Sequence, residues 1–380
     1  MKKFKQKRNN ISDRVENINY SAVRKAFSAG RNRDVINLTI GQPDFETPKS
    51  LRDAAKRSID RGFNRYTETK GVLKLRKAIS QKLARGGVMR NKDEIIVTAG
   101  TTSAIFMTLF SLVNEGDEVI VFSPYFVAYT EIIKYVGGKV IIVKTDDNFQ
   151  PNDLELLEKS ITTKTKAIII NSPNNPTGAV YSASIIAQIV KIARKYGIYI
   201  ISDEIYRSFV YDKAKFFSPA EIYSDTLVID GLSKSKAVTG WRIGFIAGPQ
   251  KIINAVEKLQ QFTTVCAPSV FQYASIEAIN KKLEKNILTE YQNRRDFVYM
   301  SLKNVLPTIK PKGAFYFFIK TPVSGAVFAK RLLKKGLAVV PGSAFGDKFE
   351  NYIRISYAAS KEKLSAAVSI IKKEVALLTK

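Results

Sequence analysis

The chain has 380 residues but no histidine, a single cysteine and a single tryptophan. Without imidazole, Ser-His-Asp triads and histidine-ligated metal sites are excluded. Any proton carried in catalysis must travel on lysine, tyrosine, cysteine or a carboxylate. The lone Cys266 cannot form an intrachain disulfide and fits a reducing cytoplasm. No apolar run approaches the roughly 18–20 uncharged residues that a membrane helix needs. The basic start, Met1-Lys2-Lys3-Phe4-Lys5-Gln6-Lys7-Arg8, lacks the apolar core of a secretion signal.

Acidic residues are also scarce. Against 61 Lys+Arg stand 34 Asp+Glu, a net charge of +27. Such an excess raises nucleic acid or an anionic membrane as a partner. Yet the basic residues are scattered through every segment, and only the first eight positions are densely basic. No RNP, zinc-finger or basic-zipper pattern occurs, so a lysine-rich solvated surface is the simpler reading.

What the chain does contain is an ordinary globular composition, 45% hydrophobic and 25% charged, at a length that favours two domains. From about residue 94 to 250, short β-branched runs alternate with helical stretches, as βαβ units on a mostly parallel sheet require. The runs are 94–98, 118–122, 139–143, 167–171, 199–203, 226–230 and 242–247, with helices over 103–112 and 182–196 among the gaps. A charged helical stretch spans 282–305, followed by Pro307 and Pro311. Runs at 313–319, 337–340 and 352–357, with helices near 327–335 and at the end, read as a smaller α+β domain.

Polar clusters fall where the expected strands end. They are Gly100-Thr101-Thr102, Ser123-Pro124-Tyr125-Phe126, Ser172-Pro173-Asn174-Asn175, Asp203-Glu204-Ile205-Tyr206 and Gly231-Leu232-Ser233-Lys234. In an open parallel sheet, ligands bind at the carboxyl ends of the strands, so these clusters converge on one site.

Each cluster has a chemistry and a plainer alternative. Lys234 at a strand exit, with Arg242 eight positions on, suits a Schiff base with an aldehyde cofactor beside an anion-binding cation. Gly100-Thr101-Thr102 between strand and helix would form a phosphate cup, or merely a helix cap. Asp203 ends an apolar strand, where a carboxylate is costly unless paired. A pyridinium N–H would pair it; capping the following turn is the alternative. Phe126 is placed to stack on a flat ring, or to pack in the core. Tyr206, three after Asp203, would share a helical face with it and reach a phenolate oxygen. Arg354, in an alternating strand, offers a fork-like grip on a carboxylate, or a solvent-facing charge.

These residues resemble, nearly end to end, the pyridoxal-phosphate aminotransferases of fold type I, in the class I/II group that includes the aspartate and aromatic enzymes. The likeness runs from Leu38-Thr39-Ile40-Gly41-Gln42-Pro43-Asp44-Phe45 through Tyr66-Thr67 to Asn171-Ser172-Pro173-Asn174-Asn175-Pro176-Thr177-Gly178. It continues in Ser202-Asp203-Glu204-Ile205-Tyr206, Ser233-Lys234, Thr239-Gly240-Trp241-Arg242 and Arg354-Ile355-Ser356-Tyr357-Ala358. It implies a mostly parallel seven-stranded sheet flanked by helices. It also implies an N-terminal arm with part of the small domain (1–45), a cofactor-binding domain (46–280) and a small C-terminal domain (281–380).

By resemblance, Lys234 holds pyridoxal 5'-phosphate through a C=N bond and then carries the proton between substrate and cofactor. Asp203 pairs with the pyridine nitrogen, Tyr206 and Asn175 hold the ring oxygen, and Phe126 stacks on the ring. Thr101, Thr102, Ser233 and Arg242 bind the phosphate. Tyr66 is implied to reach the neighbouring subunit's phosphate, hence a homodimer. Arg354, Asn175 and the Gly41 backbone are implied to grip the substrate's α-carboxylate. The expected reaction moves the amino group of aspartate, or of a broad or aromatic range of donors, to a 2-oxo acid such as 2-oxoglutarate by ping-pong kinetics. Ser123-Pro124 and Asn175-Pro176 are expected as cis peptides.

Two departures stand out: Gly231 replaces a serine common in relatives, and Phe126 replaces the tryptophan of many aspartate-type enzymes. Ile18, Asn19 and Tyr20 are candidate side-chain pocket residues. The rivals are a carbon–sulfur lyase on the same cofactor and, more remotely, a non-enzymatic nucleic-acid-binding protein.

Overall fold

The computed structural model describes residues 11–16, 18, 20–32 and 34–378. Asn19 lies outside them. The strands are β1 (Ile36–Asn37), β2 (Ile95–Thr98), β3 (Glu118–Ser123), β4 (Lys139–Lys144), β5 (Thr165–Asn171) and β6 (Tyr199–Asp203). They continue as β7 (Thr226–Gly231), β8 (Gly244–Ala247), β9 (Tyr316–Lys320), β10 (Leu337–Ala338), β11 (Val340–Pro341) and β12 (Tyr352–Ser356).

Seven strands form one sheet in the order β2-β8-β7-β6-β5-β3-β4. Only β8 runs against its neighbours, so the other six end on the same edge. Alternation of side chains commits each strand to two apolar layers. In β7, Val228 joins a core beneath helices Lys49–Asp60, Leu73–Ala84 and Ser269–Ala278. Its neighbours Leu227 and Ile229 face a second core built with Thr101–Leu112 and Gln250–Gln261. The helix Ala183–Tyr196 starts on the Ser182 side chain, which accepts from the Ile185 amide, and stops at left-handed Gly197.

The smaller layer is an antiparallel sheet in the order β11-β12-β9, packed with helices Lys285–Leu302, Gly325–Lys334 and Lys361–Leu378. The N-terminal strand β1 pairs in parallel with β10. An aromatic cluster of Tyr206, Phe209, Tyr211, Tyr291, Phe315, Tyr316, Phe317 and Tyr357 ties the smaller layer to the turn after β6.

The expected strands are present with shifted ends, and several local expectations need correction. The 337–340 run splits into β10 and β11. The run expected from Arg242 starts at Gly244, because Arg242 takes a left-handed conformation (φ 55°, ψ 52°) that ends a short 3₁₀ turn. Tyr206 and Asp203 share no helix: residues 205–208 form a turn closed by the Arg207 amide on the Glu204 carbonyl at 2.8 Å. Ser123-Pro124 is cis as expected, but the second cis bond is Ser172-Pro173, not Asn175-Pro176.

Gly244 is a packing requirement. A Cβ there would lie 2.7 Å from the Gly100 carbonyl carbon and 2.8 Å from the Thr101 nitrogen, both backbone atoms. Gly240 has nothing within 4 Å. Gly244→Ala should therefore lower unfolding free energy by about 1–3 kcal/mol, with Gly240→Ala near neutral, in denaturant melts.

Candidate active site

Strand ends β2, β5, β6 and β7 and the smaller layer enclose a cavity of about 1220 Å³. Its lining includes Gly41, Thr101, Thr102, Phe126, Asn175, Asp203, Tyr206, Ser233, Lys234, Arg242 and Arg354. Ile18 and Tyr20 line it too. Tyr66 does not; it is 84% exposed elsewhere on this chain.

The Lys234 Nζ donates to the Gly41 carbonyl at 2.5 Å, tying β7's exit to the segment before residue 45. Burial pulls its ammonium down to about 8; Arg242 and Arg354 add repulsion, and Asp203 opposes them. A neutral amine is therefore accessible near neutral pH.

Asp203 is buried, and burial pushes its carboxyl up to about 6. The Tyr129 hydroxyl, donating at 2.6 Å, and the Ile205 amide, at 3.2 Å, pull the other way. The Ile205 bond is the turn-capping alternative and falls on Oδ1, while Tyr129 donates to Oδ2; each oxygen has a further lone pair, so the carboxylate can still accept from a ligand. No lysine or arginine among the described residues pairs with this carboxylate.

At the first turn of the helix Thr101–Leu112, Gly100 has φ +84°. A Cβ there would sit 2.4 Å from an Arg242 guanidinium nitrogen, so only glycine lets the arginine lie against the helix start. Arg242 is oriented by donating to the Thr239 carbonyl at 2.8 Å. Amides at a helix N-terminus, two threonine hydroxyls, Ser233 and an arginine form a donor set for a phosphate.

Arg354, on β12, is 1% exposed. It donates to Asn175 Oδ1 at 2.9 Å and to the Thr39 carbonyl, and stacks 4.6 Å from the Tyr316 ring and 5.0 Å from that of Phe345. Its Nε is buried with no acceptor, a donor left for a ligand.

Sequence reasoning missed three supports. Tyr129, in the first turn of the helix Ala128–Tyr135, holds Asp203. Its signal was a tyrosine three residues after Phe126, whose ring it meets edge-on at 5.6 Å. Asn171 donates to the Asp203 carbonyl and accepts from the Asn175 amide, joining the two loops. Tyr316 meets Tyr206 hydroxyl to hydroxyl at 2.7 Å, a contact 110 residues apart that no local pattern shows.

A buried carboxylate without a cation, an orphaned guanidinium nitrogen, a glycine-lined anion cup and a depressed lysine fit pyridoxal phosphate. Fold and donor set thus define a pyridoxal-phosphate enzyme of the α/β type. Residues 33–371 match the model of the family "Aminotransferase class I and II". The chain is 40% identical over 373 residues to a probable aspartate aminotransferase of Methanocaldococcus jannaschii, covering 95% of this chain and 99% of that one. It is 38% identical over 382 residues to aromatic-amino-acid aminotransferase 2 of Thermococcus litoralis, with 96% and 97% covered. The solved structure of Thermus thermophilus aspartate aminotransferase with maleate superposes with a TM-score of 0.91 at 35% identity, covering 96% and 99%. The chain belongs to the class I and II aminotransferase family: it is a pyridoxal-phosphate-dependent aminotransferase.

Two predictions follow from the buried charges. For Lys234, the folded state binds fewer protons than the unfolded one between pH 8 and 10.5, so stability rises with pH across that window. The cofactor-free protein should be less stable than its Lys234→Ala variant at neutral pH, by at most roughly 3 kcal/mol. That gap should close as pH rises from 8 to 10.5 in paired denaturant titrations. Arg354→Ala should raise the substrate KM by the equivalent of about 2–5 kcal/mol, with a smaller change in kcat, in steady-state kinetics.

Proposed function

We propose that Lys234 is the proton carrier of the transamination and that Arg354, with Asn175, receives the substrate's α-carboxylate. The observation that carries this reading is the Lys234 amine, desolvated and repelled by Arg242 and Arg354, whose hydrogen bond among the described residues is to the Gly41 carbonyl. Pyridoxal phosphate supplies, when bound, an aldehyde that condenses with amines and a ring that withdraws electrons from the attached carbon. Asp203 offers a carboxylate to the ring nitrogen, with Tyr129 keeping it oriented. Thr101, Thr102, Ser233 and Arg242 hold the phosphate, Tyr206 and Asn175 the ring oxygen, and Phe126 covers the ring face. Once free, the neutral Lys234 would take the proton from the substrate Cα and deliver it to the cofactor's former aldehyde carbon, two atoms away across the shared nitrogen.

The proposed donor is aspartate or a broad range, then aromatic amino acids, then alanine. The names of the relatives from Methanocaldococcus and Thermococcus support the first two. Arg24, an exposed residue on the helix Ala22–Ala29 that lines the cavity with no ion-pair partner among the described residues, supports the first. It is a cation available to a second carboxylate. The exposed Tyr66 supports a homodimer in which it serves the partner's phosphate. The division 1–45, 46–280 and 281–380 is retained, with β1 on β10 joining the first part to the third. A cytoplasmic setting is proposed from the lone cysteine; among the described residues no helix is long and apolar enough to cross a membrane.

A donor panel against 2-oxoglutarate, following oxo-acid formation, tests the reading. Aspartate should lead, Lys234→Ala should lose turnover, and Arg24→Ala should lower kcat/KM for aspartate several-fold more than for phenylalanine. Ammonia and pyruvate from cystathionine without an acceptor would favour a lyase; full turnover by Lys234→Ala would reject the assignment.

A further inference from the structure

The Tyr316 hydroxyl, paired with that of Tyr206, has no task in the chemistry above. Tyr316 opens β9 and faces Ser356 of β12, two residues from Arg354. Its oxygen is 2.7 Å from that of Tyr206, and the two rings stand at 82° with centroids 5.6 Å apart. The other side of the Tyr316 ring carries the Arg354 guanidinium at 4.6 Å. The fit is close: a Cβ on Gly41 would lie 1.9 Å from the Tyr316 oxygen, so the carbonyl that accepts from Lys234 belongs to a residue that must be glycine. Burial pushes both phenols up, and both keep their protons at neutral pH.

A phenol has one proton to donate. If Tyr206 spends its proton on the cofactor's ring oxygen, Tyr316 must donate to Tyr206. We propose that Tyr316 is a positioning residue that, through Tyr206, strengthens the hydrogen bond to the cofactor's ring oxygen and links it to the arginine that receives the substrate. The proposal rests on the assignment of Lys234 and Tyr206 to the cofactor. Successive hydrogen bonds polarise one another, so the Tyr206 donor is stronger with Tyr316 behind it than alone. A ring oxygen held more firmly by Tyr206 would be a weaker acceptor for the proton on the nitrogen that joins Lys234 to the cofactor, so the protonated form of that nitrogen would be less stabilised. That nitrogen becomes less basic.

The test is a pH titration of the visible absorption band of the cofactor-loaded protein. Tyr316→Phe keeps the ring beneath Arg354 and removes only the hydroxyl. Its midpoint should rise by roughly half a unit, about threefold in proton affinity, while KM for the amino acid changes less. Tyr206→Phe should raise it further, and adding Tyr316→Phe to that variant should change nothing more. An unchanged midpoint in Tyr316→Phe, or the same extra rise in the Tyr206→Phe background, overturns the proposal. If Tyr316→Phe does not fold, 3-fluorotyrosine at this position, a stronger donor of nearly equal size, must lower the midpoint; no shift overturns the proposal. A wild-type protein with no titrating band would overturn the Lys234 assignment, and this inference with it.

Discussion

Desolvation of two opposite charges, the Asp203 carboxylate and the Lys234 ammonium, is the constraint around which this molecule is arranged. Each would be more stable in water, and each is shifted toward its neutral form, to about 6 and about 8. They do not neutralise one another by contact: Lys234 donates to the Gly41 carbonyl and Asp203 accepts from Tyr129 and Ile205. Burying charge without direct pairing is costly, and a fold retains it where a ligand completes the electrostatics. Parallel pairing of β6 with β7 holds the two groups at one edge of a rigid sheet.

A second tier of groups keeps these charges in place. Asn171 fastens the backbone of Asp203 to that of Asn175, and Asn175 accepts from Arg354. A chain of side-chain and backbone bonds thus runs from the Asp203 end of the cavity to its Arg354 end. The aromatic cluster around Tyr206, Phe315 and Tyr316 seals that chain from one side and joins the small sheet to the large one. Gly100 and Gly244 open the opposite wall, where any side chain would collide with Arg242 or the start of a helix.

Much of this was legible beforehand because the signals are local. β-branched runs announce strands, and polar clusters at their ends announce a site once the sheet is known to be parallel. Lys234, Asp203, Arg242 and Arg354 stand out as charged or glycine-flanked residues at the margins of apolar segments. The misplaced cis bond, the turn at 205–208 and the left-handed Arg242 were illegible because hydrophobic periodicity does not specify which backbone conformation a residue at the margin of a strand adopts. Tyr129 and Tyr316 escaped notice for a related reason: tyrosine at a buried position reads as core until its hydroxyl is seen to have a partner.

The sequence by itself determined the element types, the parallel sheet and the set of polar residues at its edge, since periodicity and strand-end chemistry act within a few residues. Only the tertiary structure decided which of those groups touch. Hydrogen bonds such as Tyr129 to Asp203 or Tyr206 to Tyr316 join residues 74 and 110 positions apart, and their existence depends on packing angles that no local pattern encodes.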